Sequence, residues 1–270
     1  NCQLLQKELV AALPMVEALA ITGASRKAEL TVTVIHSRVG LDVSVKGGKP
    51  LDQELRSALA GHAETFRLAR LHWDDETLAM RQPPLQQFGT AFVSPPPGSF
   101  LQATKHGEHA LTAAVIEAIN GTRQVVDLFC GSGTFTLPLA RQSEIHAVDS
   151  IGAMLKALDH GWRQTEGLKK MSHEMRDLFR RPLLPDELRR FTGAVLDPPR
   201  AGAEAQIAEI AKTQSGVLQR IAYVSCNPVT FARDAAVLVA AGFTLDWVQV
   251  VDQFRWSAHV ELAAQFSTSA

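Results

Sequence analysis

Residues 124–130, QVVDLFC, form a short and mostly apolar run, and the glycine-rich turn GSGTF follows at once. A run of this length bounded by turn residues reads as a strand covered on both faces, as in a parallel sheet between helices. The same alternation continues downstream. EIHAVD (144–149) reads as a second strand, 151–160 as a helix, and a third strand precedes Asp177 in HEMRDLF. GAVLD (193–197) and RIAYVSC (220–226) read as further strands, with helices over 203–214 and 229–241 and after the GSGTF turn to about Arg141. FTLDWVQVVD (243–252) and HVELAAQF (259–266) are close enough in sequence to pair as an antiparallel hairpin at the sheet edge. Strand–helix alternation of this kind predicts an α/β fold with a doubly wound sheet.

Before residue 95 the pattern is different. Residues 3–20 predict a helix, and AELTVTVIH (28–36) and LDVSVKG (41–47) alternate in period two around a turn at 37–40. LDQELRSALAGHA (51–63) predicts a helix with Asp52 in its first turn. RLARLHW (67–73) and ETLAMRQ (76–82) predict a second hairpin around Asp74 and Asp75. FVSPPPGSF (92–100) is rich in proline, which predicts an irregular linker. The chain therefore reads as a small α+β domain over 1–95 and a larger α/β domain over 96–270.

Composition narrows the functional classes. The net charge of −1 excludes a broad basic footprint for nucleic acid. Residues 1–95 hold ten basic and ten acidic side chains, and 96–270 hold seventeen and eighteen. Any RNA contact must be a local patch, for which Arg176, Arg180, Arg181, Arg189 and Arg190 are one candidate; an ordinary solvated face is the other reading. No stretch reaches the ~18 apolar residues of a membrane span, and Lys7, Glu8, Pro14 and Glu17 break any signal peptide. Three cysteines, Cys2, Cys130 and Cys226, do not make a disulfide framework. A cytoplasmic monomer is expected. The first residue is Asn, so a processed chain or a piece of a longer one is expected.

The turn after the first strand of the larger domain is suited to a ligand. Gly131 and Gly133 allow a tight turn and close approach of backbone to ligand, but the third glycine of the dinucleotide fingerprint is missing. Asp149 ends the next strand, where a carboxylate can accept from ribose hydroxyls; it can equally cap the following helix. A ligand with a ribose and no diphosphate fits, and S-adenosylmethionine is one. Asp177 and Asp197 end later strands at the same edge, and Asp127 is expected to hold the glycine loop through backbone amides. Cys130 reads as a packing residue.

Cys226 ends a strand in YVSCNP, with a helix expected from about Pro228. That helix terminus and nearby arginines would favour a thiolate, while a buried structural cysteine is the alternative. His259 and Glu261 flank Val260, so both are expected on one face of a strand, as a base and its orienter or as an ordinary polar face.

Taken together, DLFCGSGTF, VLDPPRAG, VSCNP and DxFxxxxHVE, in that order and preceded by SFLQAT (99–104), resemble the RNA 5-methyluridine methyltransferases that act on 23S rRNA and tRNA. The resemblance covers residues 96–270. It implies a Rossmann-like class I methyltransferase sheet, S-adenosylmethionine as cofactor and an RNA uridine as substrate, rRNA rather than tRNA. It implies Cys226 as the nucleophile that adds to carbon 6 of uracil and Glu261 as the base that removes the proton from carbon 5. It implies Gln102, Phe129, Gly131, Gly133, Asp149, Asp177 and Asp197 as cofactor-binding positions. Phe100, Phe254 or Trp256 could stack on a flipped base.

The sequence departs from that family at Arg255, Ser257, Thr104 and Thr134, where Pro, Thr, Asn and Asn are usual; Arg255 could contact phosphate. Members often carry an RNA-binding TRAM domain and an iron–sulfur (4Fe–4S) cluster before this region. Cys2 resembles the last cluster ligand, so the cluster is expected only in a longer chain. A cytosine-5 methyltransferase is disfavoured because Pro198, Pro199 and Arg200 follow Asp197, where Pro-Cys is usual. A cofactor- or RNA-binding fragment without turnover is the other alternative.

Overall fold

The computed structural model describes residues 5–213, 216–254 and 256–268. The chain divides into one unit formed by residues up to Gln86 with Ser94–Phe100, and another formed by Gln87–Val93 with residues from Leu101 onward.

In the first unit, α1 (Lys7–Ala11) and α2 (Leu13–Gly23) replace the single helix expected over 3–20. Pro14 stands in the first turn of α2, where it gives up no helical hydrogen bond, so the helix restarts there. β1 (Thr31–Ser37) and β2 (Gly40–Lys46) form the expected antiparallel hairpin. α3 (Gln53–Thr65) is capped by Asp52, whose Oδ1 accepts from Leu55 N at 2.8 Å. β3 (Arg70–Trp73) and β4 (Glu76–Met80) pair antiparallel, and β3 lies parallel to β2, giving the order β1-β2-β3-β4. Trp73 is fully buried with Met15, Leu19, Val45 and Leu59. A Cβ at Gly23 or Gly48 would lie 2.1 Å from its ring, so the core closes on this indole only because both positions lack a side chain. The linker prolines are held by Arg70, which donates to Pro95 O at 2.8 Å while paired with Asp42 at 2.6 and 2.8 Å.

The second unit opens with the two-stranded sheet β5 (Gln86–Phe88) and β6 (Ala91–Val93), so regular structure reaches two residues, Phe92 and Val93, into the segment expected to be irregular. The prolines that break structure start only at Pro95. α4 (Lys105–Ala118), which the sequence reading passed over, follows. β7 (Gln124–Leu128) leads through the glycine turn to α5 (Thr136–Leu139), shorter than expected. Then come β8 (Glu144–Asp149), α6 (Gly152–Arg163), β9 (Met171–Met175), α7 (Pro185–Leu188), β10 (Gly193–Leu196), α8 (Glu204–Ile210), β11 (Arg220–Ser225), α9 (Pro228–Ala240), β12 (Thr244–Val251) and β13 (Glu261–Ser267).

The seven-stranded sheet runs β12-β13-β11-β10-β7-β8-β9. β11, β10, β7, β8 and β9 are parallel neighbours, and β13 is antiparallel to both β11 and β12. Alternate residues feed opposite cores. Val125, Val195, Ala222 and Ala263 pack with Leu111 and Val115 of α4 and Leu158 of α6. Val126, Leu196, Tyr223 and Phe266 pack with Ile207 of α8 and Leu238 of α9. Each buried Leu, Ile or Phe contributes about 1.5–3 kcal/mol, against about 0–1 kcal/mol for an exposed ion pair, so these two layers hold the sheet. This is the Rossmann-like α/β architecture expected. The late hairpin is also as expected, with β13 inserted beside β11 and β12 outermost. Among the described residues no helix is long and apolar enough to cross a membrane.

Candidate active site

Parallel strands bring their carboxyl ends to one edge, and the antiparallel β13 brings its amino end to the same edge. Pairing of Ser225 with Leu262 places Cys226, just past β11, beside Glu261, the first residue of β13. Asp197 follows β10, Phe129 follows β7 and Asp149 ends β8. In sheet order the edge therefore reads Glu261, Cys226, Asp197, Phe129, Asp149.

Asp149 organises the glycine turn. Its Oδ2 accepts from Gly131 N at 2.9 Å and its Oδ1 from Ile151 N at 2.8 Å. It thus joins the loop after β7 to the turn before α6, but it does not cap that helix, whose N-cap is Ile151 with no side-chain acceptor. Phe129, Gly131 and Gly133 have φ of 64°, 55° and 97°. Only glycine adopts such values without strain, so Phe129 is the costly member of the turn. A Cβ at Gly133 would lie 2.4 Å from Leu158 Cδ1, so the loop also packs too closely on α6 for a side chain.

Asp127 is bound at the far end of this turn, at Thr136 where α5 begins, and not to the amides of Gly131 or Gly133. Its Oδ2 accepts from Thr136 Oγ1 at 2.5 Å, and among the described residues its Oδ1 has no hydrogen-bond partner. Strand alternation turns Asp127 into the core beneath the loop, where burial, reinforced by the charge of Asp149, pushes its carboxyl up to about 7.

Asp197, Glu261 and Cys226 share one electrostatic environment. Burial, then the charges of Glu261 and Asp127, push the half-buried Asp197 carboxyl up to about 8. Burial also raises Glu261, and the Arg200 guanidinium opposes that shift. The Cys226 thiol is raised by burial and by the charges of Glu261 and Asp197, again against Arg200. The expected bias of Cys226 toward thiolate is therefore not met in the free chain, because burial, helped by the charges of Glu261 and Asp197, outweighs one arginine. Cys130 is buried in the core.

Arg200 was not singled out in the sequence as part of this site, although VLDPPRAG contains it. Its loop is fastened to α9. Arg200 O accepts from Asn227 Nδ2 at 2.9 Å and from Thr230 Oγ1 at 3.3 Å. Asp234 Oδ2 accepts from Ala203 N at 2.7 Å and from Tyr223 Oη at 2.5 Å.

The remaining candidates fall into three groups. Gln102 is half-buried and accepts at Oε1 from Gln253 Nε2 at 2.9 Å. Asp177 folds back on its own turn, accepting from Phe179 N at 3.0 Å, while the Phe129 and Phe179 rings approach to 5.5 Å. Beside them Ile151, Met175 and Phe179 expose apolar surface that the sequence reading did not assign. His259 does not share a strand face with Glu261, since β13 begins at Glu261 and His259 is exposed before it. Trp256 and Phe100 are largely exposed, and Phe254 is half-buried.

The arginine run is mostly neutralised within itself. Arg176 pairs with Glu187 and Glu174, Arg180 with Asp177 and Arg189 with Asp186. Arg190 lies 4.8 Å over the Phe191 ring. Cys2 and Arg255 lie outside the described residues, so the cluster ligand and the phosphate contact expected of them have no structural account. Among the described residues no group of three or more His, Cys, Asp or Glu is placed to hold a metal, and no step is derived through an iron–sulfur cluster.

Comparison with known proteins bears on the family and the fold. The family model described as tRNA (uracil-5-)-methyltransferase matches residues 90–267. An uncharacterized RNA methyltransferase of Agrobacterium fabrum is 41% identical over 98% of this chain and 63% of its own length. The 23S rRNA (uracil(1939)-C(5))-methyltransferase RlmD of Pseudomonas fluorescens is 36% identical over 64% of this chain and 38% of its own. The chain thus spans about 63% of the length of the first of these relatives. Among solved structures, the tRNA (uracil-54, C5)-methyltransferase of Pyrococcus abyssi in complex with S-adenosyl-L-homocysteine superposes with a TM-score of 0.73 at 22% identity, covering 96% of this chain and 66% of that one. That likeness is one of fold.

Proposed function

Since the chain belongs to the tRNA (uracil-5-)-methyltransferase family, a family of S-adenosylmethionine-dependent RNA methyltransferases, we propose that it methylates carbon 5 of a uridine in RNA through a covalent bond from Cys226. The observation that carries this reading is the register of β11 and β13, which sets Cys226 beside Glu261 at the edge that also holds Asp149 and the glycine turn.

Carbon 5 of uracil is a weak nucleophile. Addition of the Cys226 thiolate to carbon 6 converts the ring to an enolate with electron density at carbon 5. Bound S-adenosylmethionine would supply the methyl group, carbon 5 forming its bond to that methyl as the methyl–sulfur bond breaks and S-adenosylhomocysteine leaves. Glu261, as carboxylate, then takes the proton from carbon 5, the carbon 6–sulfur bond breaks, and Cys226 is released. A carboxylate with a raised pKa is the stronger base once ionised. Arg200 keeps both Cys226 and Glu261 closer to their charged forms than burial alone would.

Asp149, with one lone pair per oxygen still available, is suited to ribose hydroxyls. Ile151, Met175 and Phe179 offer apolar surface for the adenine, and Phe129, Gly131 and Gly133 shape the turn under the methionine part. Gln102, Asp177 and Asp197 complete the cofactor site. The substrate is proposed to be rRNA, supported by the 36% identity to a protein named as a 23S rRNA methyltransferase. The domain over residues 1–95 is a further proposed RNA contact.

Cys226→Ala should abolish methylation and covalent trapping of 5-fluorouridine RNA while cofactor binding stays intact. Mass mapping of 5-methyluridine in rRNA and tRNA from cells lacking the gene identifies the target. Loss confined to tRNA would overturn the rRNA assignment.

A further inference from the structure

Gln253 lies between Asp252 and Phe254 on the segment that joins β12 to β13, and it is 6% exposed. It bridges 149 and 151 residues of sequence to reach Thr104 and Gln102. Thr104 N donates to Gln253 Oε1 at 3.0 Å, and Thr104 Oγ1 lies 3.4 Å from the same oxygen. Gln253 Nε2 donates to Gln102 Oε1 at 2.9 Å.

The polarity of this chain is fixed from one end. A backbone N–H can only donate, so the end of the Gln253 amide that faces Thr104 N must be its carbonyl oxygen. The other end must then be its NH2 group. The end of Gln102 that faces that NH2 must in turn be an oxygen, which turns the Gln102 NH2 group outward. A solitary side-chain amide can flip at little cost, but this one cannot without opposing two donors or two acceptors.

Thr104 is itself locked. Its Oγ1 accepts from Gly107 N at 3.0 Å as the cap of α4, leaving its own hydrogen for Gln253. Gly107 completes the site, since a Cβ there would lie 2.3 Å from Gln253 Oε1. A threonine can play this capping role as an asparagine does, which accounts for Thr104 at a position where the family often has Asn.

We propose that Gln253 is a positioning residue that fixes the orientation of the Gln102 amide, so that Gln102 offers a donor, not an acceptor, to the cofactor, and that it locks the segment leading to Glu261 to the segment carrying Gln102. The proposal rests on the methyltransferase reading for the identity of the ligand. The orientation itself rests on the hydrogen bonds alone.

Gln253→Glu separates positioning from structure. The carboxylate still accepts from Thr104 N, and the cap of α4 is Thr104 Oγ1 itself, so both contacts are kept even though a buried carboxylate lowers stability. The donor to Gln102 is lost, and Gln102 must flip to present its NH2 inward and its oxygen outward. Side-chain amide exchange by NMR on the cofactor-free chain reads this directly. The expected result is a protected Gln253 NH2 and an exposed Gln102 NH2 in the wild type, with the Gln102 NH2 becoming protected in the variant. A Gln102 NH2 already protected in the wild type, or unaffected in the folded variant, overturns the proposal.

Calorimetry with S-adenosylhomocysteine is the second readout. Both Gln253→Glu and Gln102→Glu should bind at least about tenfold more weakly than wild type, ~1.4 kcal/mol, at a temperature where circular dichroism shows each variant to be folded. Binding within twofold of wild type overturns the donor role. A wild-type chain that binds no S-adenosylhomocysteine counts against the methyltransferase reading, and the exchange pattern then still decides the orientation of Gln102.

Discussion

Gly131 and Asp149 are joined by a hydrogen bond of 2.9 Å from the glycine N–H to Oδ2, so the residue proposed to accept from a ribose also holds the glycine turn. Asp149→Ala therefore removes two things at once. The turn loses its fastening, and Gly131 N and Ile151 N lose their acceptor. Leaving such donors unpaired costs about 1–3 kcal/mol where they are buried. Affinity for S-adenosylhomocysteine should fall by a factor on the order of 10–100, with a lowered melting temperature. Asp149→Asn keeps one acceptor and should fall between. Unchanged calorimetric affinity in Asp149→Ala would remove this residue from the site.

Glu261→Gln tests the division of labour at the other end of the edge. Without a base for the carbon 5 proton, a covalent RNA adduct should accumulate with ordinary uridine substrate, visible as a shifted band on a denaturing gel. The substitution also removes a negative charge that raises both Cys226 and Asp197. The adduct should consequently form faster than in wild type at neutral pH. A variant that turns over normally, or that never forms adduct, rules out Glu261 as this base.

Arg200 should act through charge. It opposes the upward shift of both Cys226 and Glu261. Arg200→Met removes that opposition, so the thiol moves further above its ordinary value and the thiolate fraction at neutral pH falls. Trapping of 5-fluorouridine RNA should slow in the variant near neutrality, by a factor on the order of 10 per pK unit moved, and should recover as pH rises through the higher thiol pKa. A rate deficit that is the same at every pH would assign Arg200 to RNA contact instead.

The parallel sheet was legible because a strand buried on both faces leaves an apolar run that nothing else explains, as in QVVDLFC. The edge residues followed, since strand ends are where such a sheet presents its side chains. What stayed hidden depended on contacts distant in sequence. The loop was assigned to Asp127, and that Asp149 meets Gly131 N instead could not be read from either residue alone, because it turns on which way the β7 pleat points Asp127. His259 was assigned to a strand on parity, but β13 starts only at Glu261, so parity did not apply. The influence of Arg200 on Cys226 and the bridge from Gln253 to Gln102 link segments that carry no mutual pattern in sequence. The thiolate bias was misjudged because a helix terminus can be read locally, whereas the burial of Cys226, and after it the carboxyls of Glu261 and Asp197, come from packing against other strands.

Asp127 gives a stability test independent of catalysis. Its carboxyl is raised from 3.8 in the reference state to about 7 when folded, chiefly by burial. A raised acid binds its proton more tightly in the folded state. The resulting stabilisation is fully present below the reference value and is lost as pH rises through about 7. Asp127→Asn keeps a carbonyl oxygen to accept from Thr136 Oγ1 and cannot ionise. The difference in melting temperature, variant minus wild type, should therefore grow in the variant's favour as pH is raised across the interval from about 4 to about 7, and level off above it. Differential scanning calorimetry at a series of pH values measures it. A difference that does not change with pH would mean that Asp127 is charged in the folded chain throughout, held by a partner at Oδ1.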